Sequence, residues 1–322
     1  MNEFNLISHI TAGFKTYHGQ VVKGIGDDCA VWKENDTLRL FTTDTMVEGD
    51  HFIKEWFTPQ QIGIRFIESN VSDIAAMGGT PTFLFVSLVL DSKTSPDWTR
   101  KLYLGIKSVC NHYKISLLGG NITHGRTVSL TASLFGEAKS SVIYRSTAKT
   151  GDLVVVTGDI GSACVARLLL NKKITPPHYL FNRFSHPKAR VDEAQIIRKF
   201  ASSMIDISDG IASEAKHLAK DSKRGVIIDT TRIPVIAKAR KYEGLIGQTL
   251  ENCALRGGED YELMFTVSKK NWPELQSEFT FNTPLTVVGE ICSKKEYLQV
   301  NSDKTITPLV KGFDHFSENI NL

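Results

Sequence analysis

Acidic residues recur where apolar or glycine-rich segments of the chain turn. Few Lys or Arg stand beside them, whereas an ordinary solvated helix such as Asp192 to Lys199 interleaves acids with bases. Carboxylates held together without cations are unfavourable, because desolvation and like-charge repulsion both oppose ionisation. Oxygen ligands without Cys or clustered His are typical of Mg²⁺, Mn²⁺ or Ca²⁺ sites. The pattern favours such a site, with candidates Asp27 and Asp28 in GIGDDCAV, Asp44 at the end of LRLFTTD, Asp73 in SNVSDIAAMGG, Asp206 and Asp209 in SSMIDISDG, and Glu259 and Asp260 in RGGEDYEL.

Each acid also has a structural interpretation. A single Asp is more often a turn former or a helix N-cap than a metal ligand, and ISDG could simply begin a capped helix. Asn70 and Asp73 lie three residues apart on the apolar face of a helix, where either a metal or a buried hydrogen-bond network would give Asp73 a partner. His51 is the histidine nearest the acids, and a core position is equally compatible with it.

Several glycine-containing segments are candidates for phosphate binding. The segment Gly120 to Thr127 (GNITHGRT) nearly matches a P-loop, but the residues after it read as a strand, whereas a P-loop must begin a helix. No GxGxxG follows a strand, so a dinucleotide site is not predicted. Gly158 to Gly161 is interpreted as a tight strand-to-helix turn, and Gly119-Gly120 and Gly257-Gly258 would allow close approach of a ligand. The chain also has no GxSxG elbow and no convincing Cys–His pair, so metal-assisted phosphoryl transfer is favoured over covalent catalysis.

The sequence also predicts the helices and strands that carry these acids. Thr58 and Pro59 predict the start of a helix whose apolar stripe ends at Gly78-Gly79, and a second helix should follow Ser95-Pro96. Strands are predicted over the ranges 38–43, 82–90, 127–135 and 153–157, and near 225–229, 262–267 and 285–290. Because strands and helices alternate only loosely, an α+β class is favoured.

The length, net charge and cysteine content of the chain limit the classes of protein to which it can belong. The 322 residues suggest two domains, and the polar segment 138–152 places the boundary near residue 150, giving 1–149 and 150–322. A net charge of +3 does not predict nucleic-acid or anionic-membrane binding, and no apolar run is long enough to span a bilayer. Five scattered cysteines and an N-terminus without a basic region argue against a secreted protein and favour the cytoplasm.

The ordered motifs resemble those of the thiamine-monophosphate kinase family, and they run from about Gly24 to Phe316. The matching segments are GIGDDCAV, FTTDTMVEGDHF, SNVSDIAAMGGTP, LLGGNIT, AKTGDLVVVTGDIG, MIDISDG, RGGEDYELMFT, VVGEI and KGFDHF. The resemblance implies an aminoimidazole-ribonucleotide synthetase-like fold, with an N-terminal α+β domain and a C-terminal α/β domain. It also implies a homodimer whose N-terminal sheets form a joint barrel with ATP near the interface. The implied activity is ATP- and Mg²⁺-dependent phosphorylation of thiamine monophosphate to thiamine diphosphate, with several ions.

The resemblance also implies roles for individual residues. Asp44, Asp73 and Asp209 are the expected catalytic residues. The expected metal ligands are Asp28, Thr42, Thr43, Asp44, Asp73, Asn121, Asp206 and Asp209. The expected nucleotide contacts are Tyr103, Gly120, Asn121, Arg145 and Ser208, and the expected substrate contacts are His51, Glu259 and Phe313.

One departure from the family pattern concerns the metal complement. Asn121 stands where the family usually has Asp, so one negative charge is missing. Related dikinases and dehydratases of this fold are disfavoured, because residues 1–23 contain no Cys and the chain ends in ENINL without one. The alternative to an enzyme is a protein that binds a nucleotide but does not turn it over.

Overall fold

The structure, a computed structural model, describes residues 3–139 and 141–313. The helices are α1 Glu3–Thr11, α2 Pro59–Ala76, α3 Pro96–Tyr113, α4 Ser162–Asn171, α5 His178–Ser185, α6 Val191–Ile197, α7 Ile211–Asp221, α8 Glu243–Ile246, α9 Leu250–Arg256 and α10 Trp272–Glu278. The strands are β1 Val21–Lys23, β2 Ala30–Glu34, β3 Thr37–Val47, β4 Thr80–Leu90, β5 Ser116–His124, β6 Ser129–Ala138, β7 Leu153–Thr157, β8 Ala201–Asp206, β9 Gly225–Asp229, β10 Leu263–Val267, β11 Leu285–Cys292, β12 Tyr297–Val300 and β13 Ile306–Pro308.

The strands form two mixed sheets, one on each side of residue 150 in the sequence. The first sheet has the order β1-β2-β3-β6-β4-β5, and the second has the order β13-β12-β9-β11-β7-β10-β8. Among the strands of residues 3–139 and 141–313, only the β4–β5 and β9–β12 pairs are parallel. Largely antiparallel sheets with helices packed against them confirm the predicted α+β class.

Helix α2 follows its sequence signals closely. Thr58 forms a capping box with Gln61, and Pro59 occupies the first turn. Its apolar stripe, which includes Ile62, Phe66 and Ile74, is fully buried. The helix packs on β3 and β6, and it also contacts α5, α6 and β8 of the other half of the chain. One hydrophobic cluster therefore joins residues from both halves.

The strand predictions differ from the structure at β3 and β5, and they also do not include β1, β2, β8, β12 and β13. Strand β3 continues to Val47, so Asp44 lies inside a strand rather than at its end. Strand β5 was not predicted, because Gly119 and Gly120 weaken strand propensity and the run resembles a phosphate loop. All of its residues are exposed, which is typical of an edge strand. Between Ala138 and Leu153 the described residues form no helix or strand.

No helix within the described ranges is long and apolar enough to cross a membrane. All five cysteines are free thiols, and four of them are buried. The last motif of the sequence, KGFDHF, is described only as far as Phe313, and its remaining residues lie outside the described range.

Candidate functional site

A cavity of about 280 Å³ opens where β3, α2, α4 and the turn after β8 meet. Its walls contain eight of the residues that are expected to be catalytic or to bind metal, nucleotide or substrate. They are Asp44, His51, Asp73, Asp206, Ser208, Asp209, Glu259 and Phe313. Side chains from far apart in the sequence thus surround one space that is large enough for part of a ligand.

Strand β3 and helix α2 supply the first carboxylates. Thr42 is buried, and its hydroxyl donates a 2.6 Å hydrogen bond to Oδ2 of Asp73. Asp44 lies two residues further along β3, so its side chain is on the same face of the sheet as that of Thr42. Asn70 does not join them. Its amide donates to the carbonyl of Phe66 within α2, and its Oδ1 has no hydrogen-bond partner among the described residues.

Asp206 brings a carboxylate from the other half of the chain. It ends β8, is buried, and accepts a 2.7 Å hydrogen bond from the hydroxyl of Ser72 in α2. Burial raises the pKa of Asp206 to about 6, and the nearby charge of Asp44 adds to this. Burial and the charge of Asp206 likewise raise the pKa of Asp73 and of Asp28. Four carboxyl groups therefore lie close enough to oppose one another's ionisation.

These groups fit hard divalent cations. The donors are oxygens, and Oδ2 of Asp28 is buried without a hydrogen-bond partner in the described structure. Within residues 3–139 and 141–313, no three His, Cys, Asp or Glu side chains are grouped to hold one ion by themselves. Mg²⁺ is commonly held by one or two carboxylates together with substrate phosphates, so this arrangement suits Mg²⁺ delivered with a nucleotide.

The turn between β8 and α7 is not a carboxylate-capped helix start. Gly210 is the N-cap of α7, and no side chain caps it. Instead, the buried Glu214 accepts hydrogen bonds from the backbone N–H groups of Ser208 and Asp209, at 3.1 and 2.7 Å. The structural interpretation of Asp209 as a cap is therefore wrong, and Glu214 fixes the turn that presents Asp209 to the cavity.

Glu259, His51 and Phe313 lie in the cavity wall together. Glu259 has a positive φ of 69°, and its N–H donates to the carbonyl of Ser208. Gly258 must be glycine here, because a Cβ would lie 1.8 Å from the Ser208 carbonyl oxygen. The glycine therefore permits close contact between two loops, and it also lines the cavity. The N–H of Phe313 donates to the carbonyl of Asp209, which holds the C-terminal segment beside the cavity.

Arg145, in the segment between β6 and β7, lies beside the loop that carries Asp27 and Asp28. Its N–H donates to Oδ1 of Asp27, and its guanidinium group lies 3.8 Å from Oδ1 of Asp28 and 2.9 Å from Oδ2 of Asp221. The charge of Arg145 lowers the pKa of Asp28, although burial outweighs it. A phosphate arriving at Asp28 would therefore meet a cation already in place.

Thr43, Asn121, Gly120 and Tyr103 are not in the cavity wall. Thr43 alternates with Thr42 and Asp44, so it lies on the opposite face of the first sheet. Asn121 shares that face, because the strand register aligns it through Ser87 and Thr131 with Thr45. Three strand spacings of about 4.8 Å separate the backbones of β3 and β5, or roughly 14 Å. Tyr103 lines a separate apolar groove between α3 and the start of β5.

The glycine turn Gly158 to Gly161 is not a phosphate site in this conformation. The buried carboxylate of Asp260 accepts hydrogen bonds from the N–H groups of Gly161 and Ala163, at 2.7 and 3.4 Å. Asp260 thus occupies the N-terminus of α4 that an anion would need. Its place among the candidate metal acids is wrong, and the prediction of a tight turn is confirmed. The rejected P-loop segment likewise precedes strand β6 rather than a helix.

Three residues near the site were missed from the sequence. Ser72 binds Asp206, Arg167 of α4 lines the cavity, and the buried Arg65 of α2 pairs with Glu259. Ser72 could have been predicted to lie near the site, although only weakly, because it immediately precedes Asp73 on the same buried helix. Arg65 stands 194 residues from Glu259 in the chain, so no local pattern could reveal that pair.

Comparisons with known proteins agree with this geometry. Residues 26–138 match the family model of the AIR synthase related protein N-terminal domain, and residues 149–301 match that of the C-terminal domain. The chain is 36% identical to a thiamine-monophosphate kinase of Buchnera aphidicola subsp. Schizaphis graminum, over 98% of this chain and 99% of that protein. It is 33% identical to the thiamine-monophosphate kinase of Bacillus subtilis, over 98% of this chain and 100% of that one.

Solved structures show the same similarity. AaThiL complexed with AMPPCP and TMP superposes with a TM-score of 0.86 at 31% identity, covering 98% of this chain and 97% of that one. A thiamine monophosphate kinase from Aquifex aeolicus gives a TM-score of 0.78 at 28% identity, covering 94% and 97%. The HypE–HypF complex shares only the fold, at 15% identity and a TM-score of 0.75 over 95% and 99% of the chains. The chain therefore belongs to the thiamine-monophosphate kinase family of AIR synthase related proteins.

Proposed function

We propose that this chain transfers the γ-phosphoryl group of ATP directly to the phosphate of thiamine monophosphate, giving thiamine diphosphate and ADP. One observation carries the proposal. A single cavity joins a cluster of carboxylates, Asp44, Asp73 and Asp206, to the substrate candidates His51 and Glu259. Relatives named thiamine-monophosphate kinase, and a relative complexed with the ATP analogue AMPPCP and TMP, support the assignment.

The substrate end of the cavity suits a cationic heteroaromatic ring. Phe313 offers an aromatic face, and Glu259 offers a negative charge to the thiazolium of thiamine monophosphate. Nδ1 of His51 accepts a hydrogen bond from the N–H of Val47 at 3.3 Å and lies 3.4 Å from Oδ2 of Asp50, so these contacts hold one side of the ring. His51 would then form a hydrogen bond with the acceptor and orient it.

The carboxylate end suits Mg²⁺ and phosphates. Asp28, Asp44, Asp73, Asp206 and Asp209 would hold the ions, and Thr42 orients Asp73. Bound Mg²⁺ would neutralise the charge that develops on the transferred group. Glu214 keeps Ser208 and Asp209 aimed at the cavity, and Arg145 stabilises phosphate charge beside Asp28. Direct transfer is proposed because the sequence offers metal ligands in place of an activated nucleophile.

We also propose that two copies of the chain pair through the outer face of the first sheet. That face carries exposed apolar side chains, including Phe83 at 43% and Phe85 at 39%, next to the exposed edge strand β5. Thr43 and Asn121 share it, so pairing would place these two candidates at the interface, where the resemblance expects ATP. The proposed boundary near residue 150 assigns the whole first sheet to the pairing domain, and the free thiols support a cytoplasmic location.

A coupled assay of ADP release tests the function. The chain, ATP and Mg²⁺ should release ADP when thiamine monophosphate is added, and much less when thiamine replaces it, because thiamine lacks the acceptor phosphate. Asp44→Asn is the matched variant, since it removes one charge and keeps the size of the side chain. ATP binding without acceptor-dependent ADP release would instead favour a nucleotide-binding protein without turnover.

A further inference from the structure

Arg65 is the largest fully buried side chain of the described structure, at 0% exposure in the middle of α2. Its guanidinium group lies between the rings of Phe57 and Phe184, with its central carbon 4.8 and 4.3 Å from their centroids. Burying a charge is unfavourable unless it is paired, and Nε of Arg65 has no hydrogen-bond partner in the described residues. Because burying this charge is unfavourable, we looked for a functional role of Arg65 in its contacts.

The polar contacts of Arg65 reach three separate segments. One terminal nitrogen donates to the carbonyl of Phe184. The other donates to the carbonyl of His51, at 3.4 Å, and to Oε1 of Glu259. Arg65 thus links the backbone of one substrate candidate to the carboxylate of another, although its own side chain does not line the cavity.

Glu259 depends on this contact for its orientation. Its backbone is held in the left-handed region and anchored to the Ser208 carbonyl, so the loop is set before the side chain is placed. Arg65 then binds one carboxylate oxygen, while the side chain keeps 23% exposure in the cavity wall. A carboxylate fixed at one oxygen has lost most of its rotational freedom before a ligand arrives, which favours binding.

We infer that Arg65 is a positioning residue that sets the affinity for the acceptor by orienting Glu259 and the His51 segment. The inference rests on the proposed function and deepens it. Because the contacts of Arg65 lie at the substrate end of the cavity, its effect falls on the acceptor rather than on ATP. A purely structural role would instead lower stability and leave both Michaelis constants unchanged.

The central test compares Arg65→Lys with a matched control. Lys keeps the charge but cannot make all three contacts at once. Arg65→Lys should raise KM for thiamine monophosphate about tenfold, with KM for ATP changed less than twofold. The control is Arg190→Lys. Arg190 is another buried arginine, and it pairs with Glu262 outside the cavity wall. This control should lower Tm and leave both KM values unchanged.

A double-mutant cycle tests whether Arg65 affects KM for the acceptor through Glu259. In a Glu259→Gln background, Arg65→Lys should raise KM for the acceptor less than threefold, because the ion pair is already lost. If Arg65→Lys does not fold, Phe57→Leu carries the test, since it removes one ring beside the guanidinium and leaves the charge. Phe57→Leu should then raise KM for the acceptor at least threefold and leave KM for ATP unchanged.

Three results would overturn the inference. The first is an unchanged KM for the acceptor in a folded Arg65→Lys variant. The second is an unchanged KM for the acceptor in Phe57→Leu, when that variant replaces Arg65→Lys. The third is a full tenfold rise in KM for the acceptor when Arg65→Lys is added to Glu259→Gln. A wild-type chain without acceptor-dependent ADP release would overturn the proposed function, and this inference with it. Active wild type with an unchanged variant would overturn the inference alone.

Discussion

At the scale of single residues, the chemistry of the cavity follows from carboxylates that are too close to one another. Burial and the charges of Asp206 and Asp44 raise the pKa of Asp73, and the direct hydrogen bond from Thr42 opposes this. A positive charge brought beside Asp73 would relieve both effects. Each of these carboxylates should therefore matter through its charge more than through its shape.

Asp73→Asn separates charge from shape. Asn can still accept the hydrogen bond from Thr42, so the fold should persist, but one charged ligand is lost. We expect kcat to fall on the order of 100-fold or more, equivalent to ~2.7 kcal/mol in the barrier. Turnover at saturating Mg²⁺ measures this. Asp303→Asn, on an exposed turn, is the control, and near wild-type turnover in Asp73→Asn would show that Asp73 does not bind a catalytic ion.

Glu68 should make stability depend on pH. Burial raises its pKa to about 7, although it accepts hydrogen bonds from the N–H of Ala189 and the hydroxyl of Tyr113. The folded chain therefore holds this proton more tightly than the unfolded chain, whose pKa is near 4.5. The stabilisation is complete below pH 4.5 and is lost as the pH rises through about 7.

Glu68→Gln, which is neutral at every pH, should remove this loss. Relative to wild type, its free energy of unfolding should increase between pH 5 and pH 8 by up to ~3 kcal/mol. Urea unfolding at the two pH values measures the change. Glu278→Gln, at an exposed pair with Lys199, should show no such trend. Parallel behaviour of Glu68→Gln and wild type would contradict the raised pKa.

At the scale of elements, helix α2 could be predicted from the sequence and strand β5 could not. Thr58, Pro59 and the buried stripe make α2 readable from sequence, because capping and periodicity act within a few residues. Strand β5 was missed because its stability comes from pairing with β4, more than twenty residues earlier in the chain, and its two glycines suggest a loop. Asn121 lies on this strand, so its role depends on what covers the exposed edge.

Asn121→Asp tests the role of β5. If this position contacts a metal ion, the added charge should lower the Mg²⁺ concentration needed for half-maximal rate. The attraction between unit charges at ~4 Å is roughly 4 kcal/mol at an effective dielectric of 20, before desolvation. Separate titrations of Mg²⁺ and ATP measure it. A raised KM for ATP with unchanged Mg²⁺ dependence would show that no ion lies there.

At the scale of the whole molecule, the two sheets share a hydrophobic cluster, and the cavity forms where the two halves meet. Sequence motifs supplied the candidate residues, because Asp44, Asp73, Asp206 and Asp209 each stand in a recognisable local setting. They could not reveal that Asp260 caps α4, or that Thr43 and Asn121 lie on the other face of the sheet. Those outcomes depend on contacts between distant segments, as does the pairing of Arg65 with Glu259.

Pairing through the first sheet predicts a particle of about twice the 35.8 kDa of one chain. Phe85→Lys places a charge on the outer face at a side chain that is 39% exposed in the single chain, and it should give monomers with reduced turnover. Phe281→Lys is the control, because Phe281 is similarly exposed, at 36%, in the other half of the chain. Light scattering after size-exclusion chromatography measures both. A monomeric wild type, or a dimeric Phe85→Lys, would contradict this interface.

The activity proposed for this chain moves one phosphoryl group from ATP to thiamine monophosphate. Phosphorus-31 NMR of a mixture of the chain, Mg²⁺, ATP and thiamine monophosphate follows every phosphorus atom in one experiment. We expect the monoester signal to be replaced by two diphosphate signals, in step with conversion of ATP to ADP. Formation of AMP, release of orthophosphate in place of the diphosphate product, or an unchanged monoester signal would contradict it.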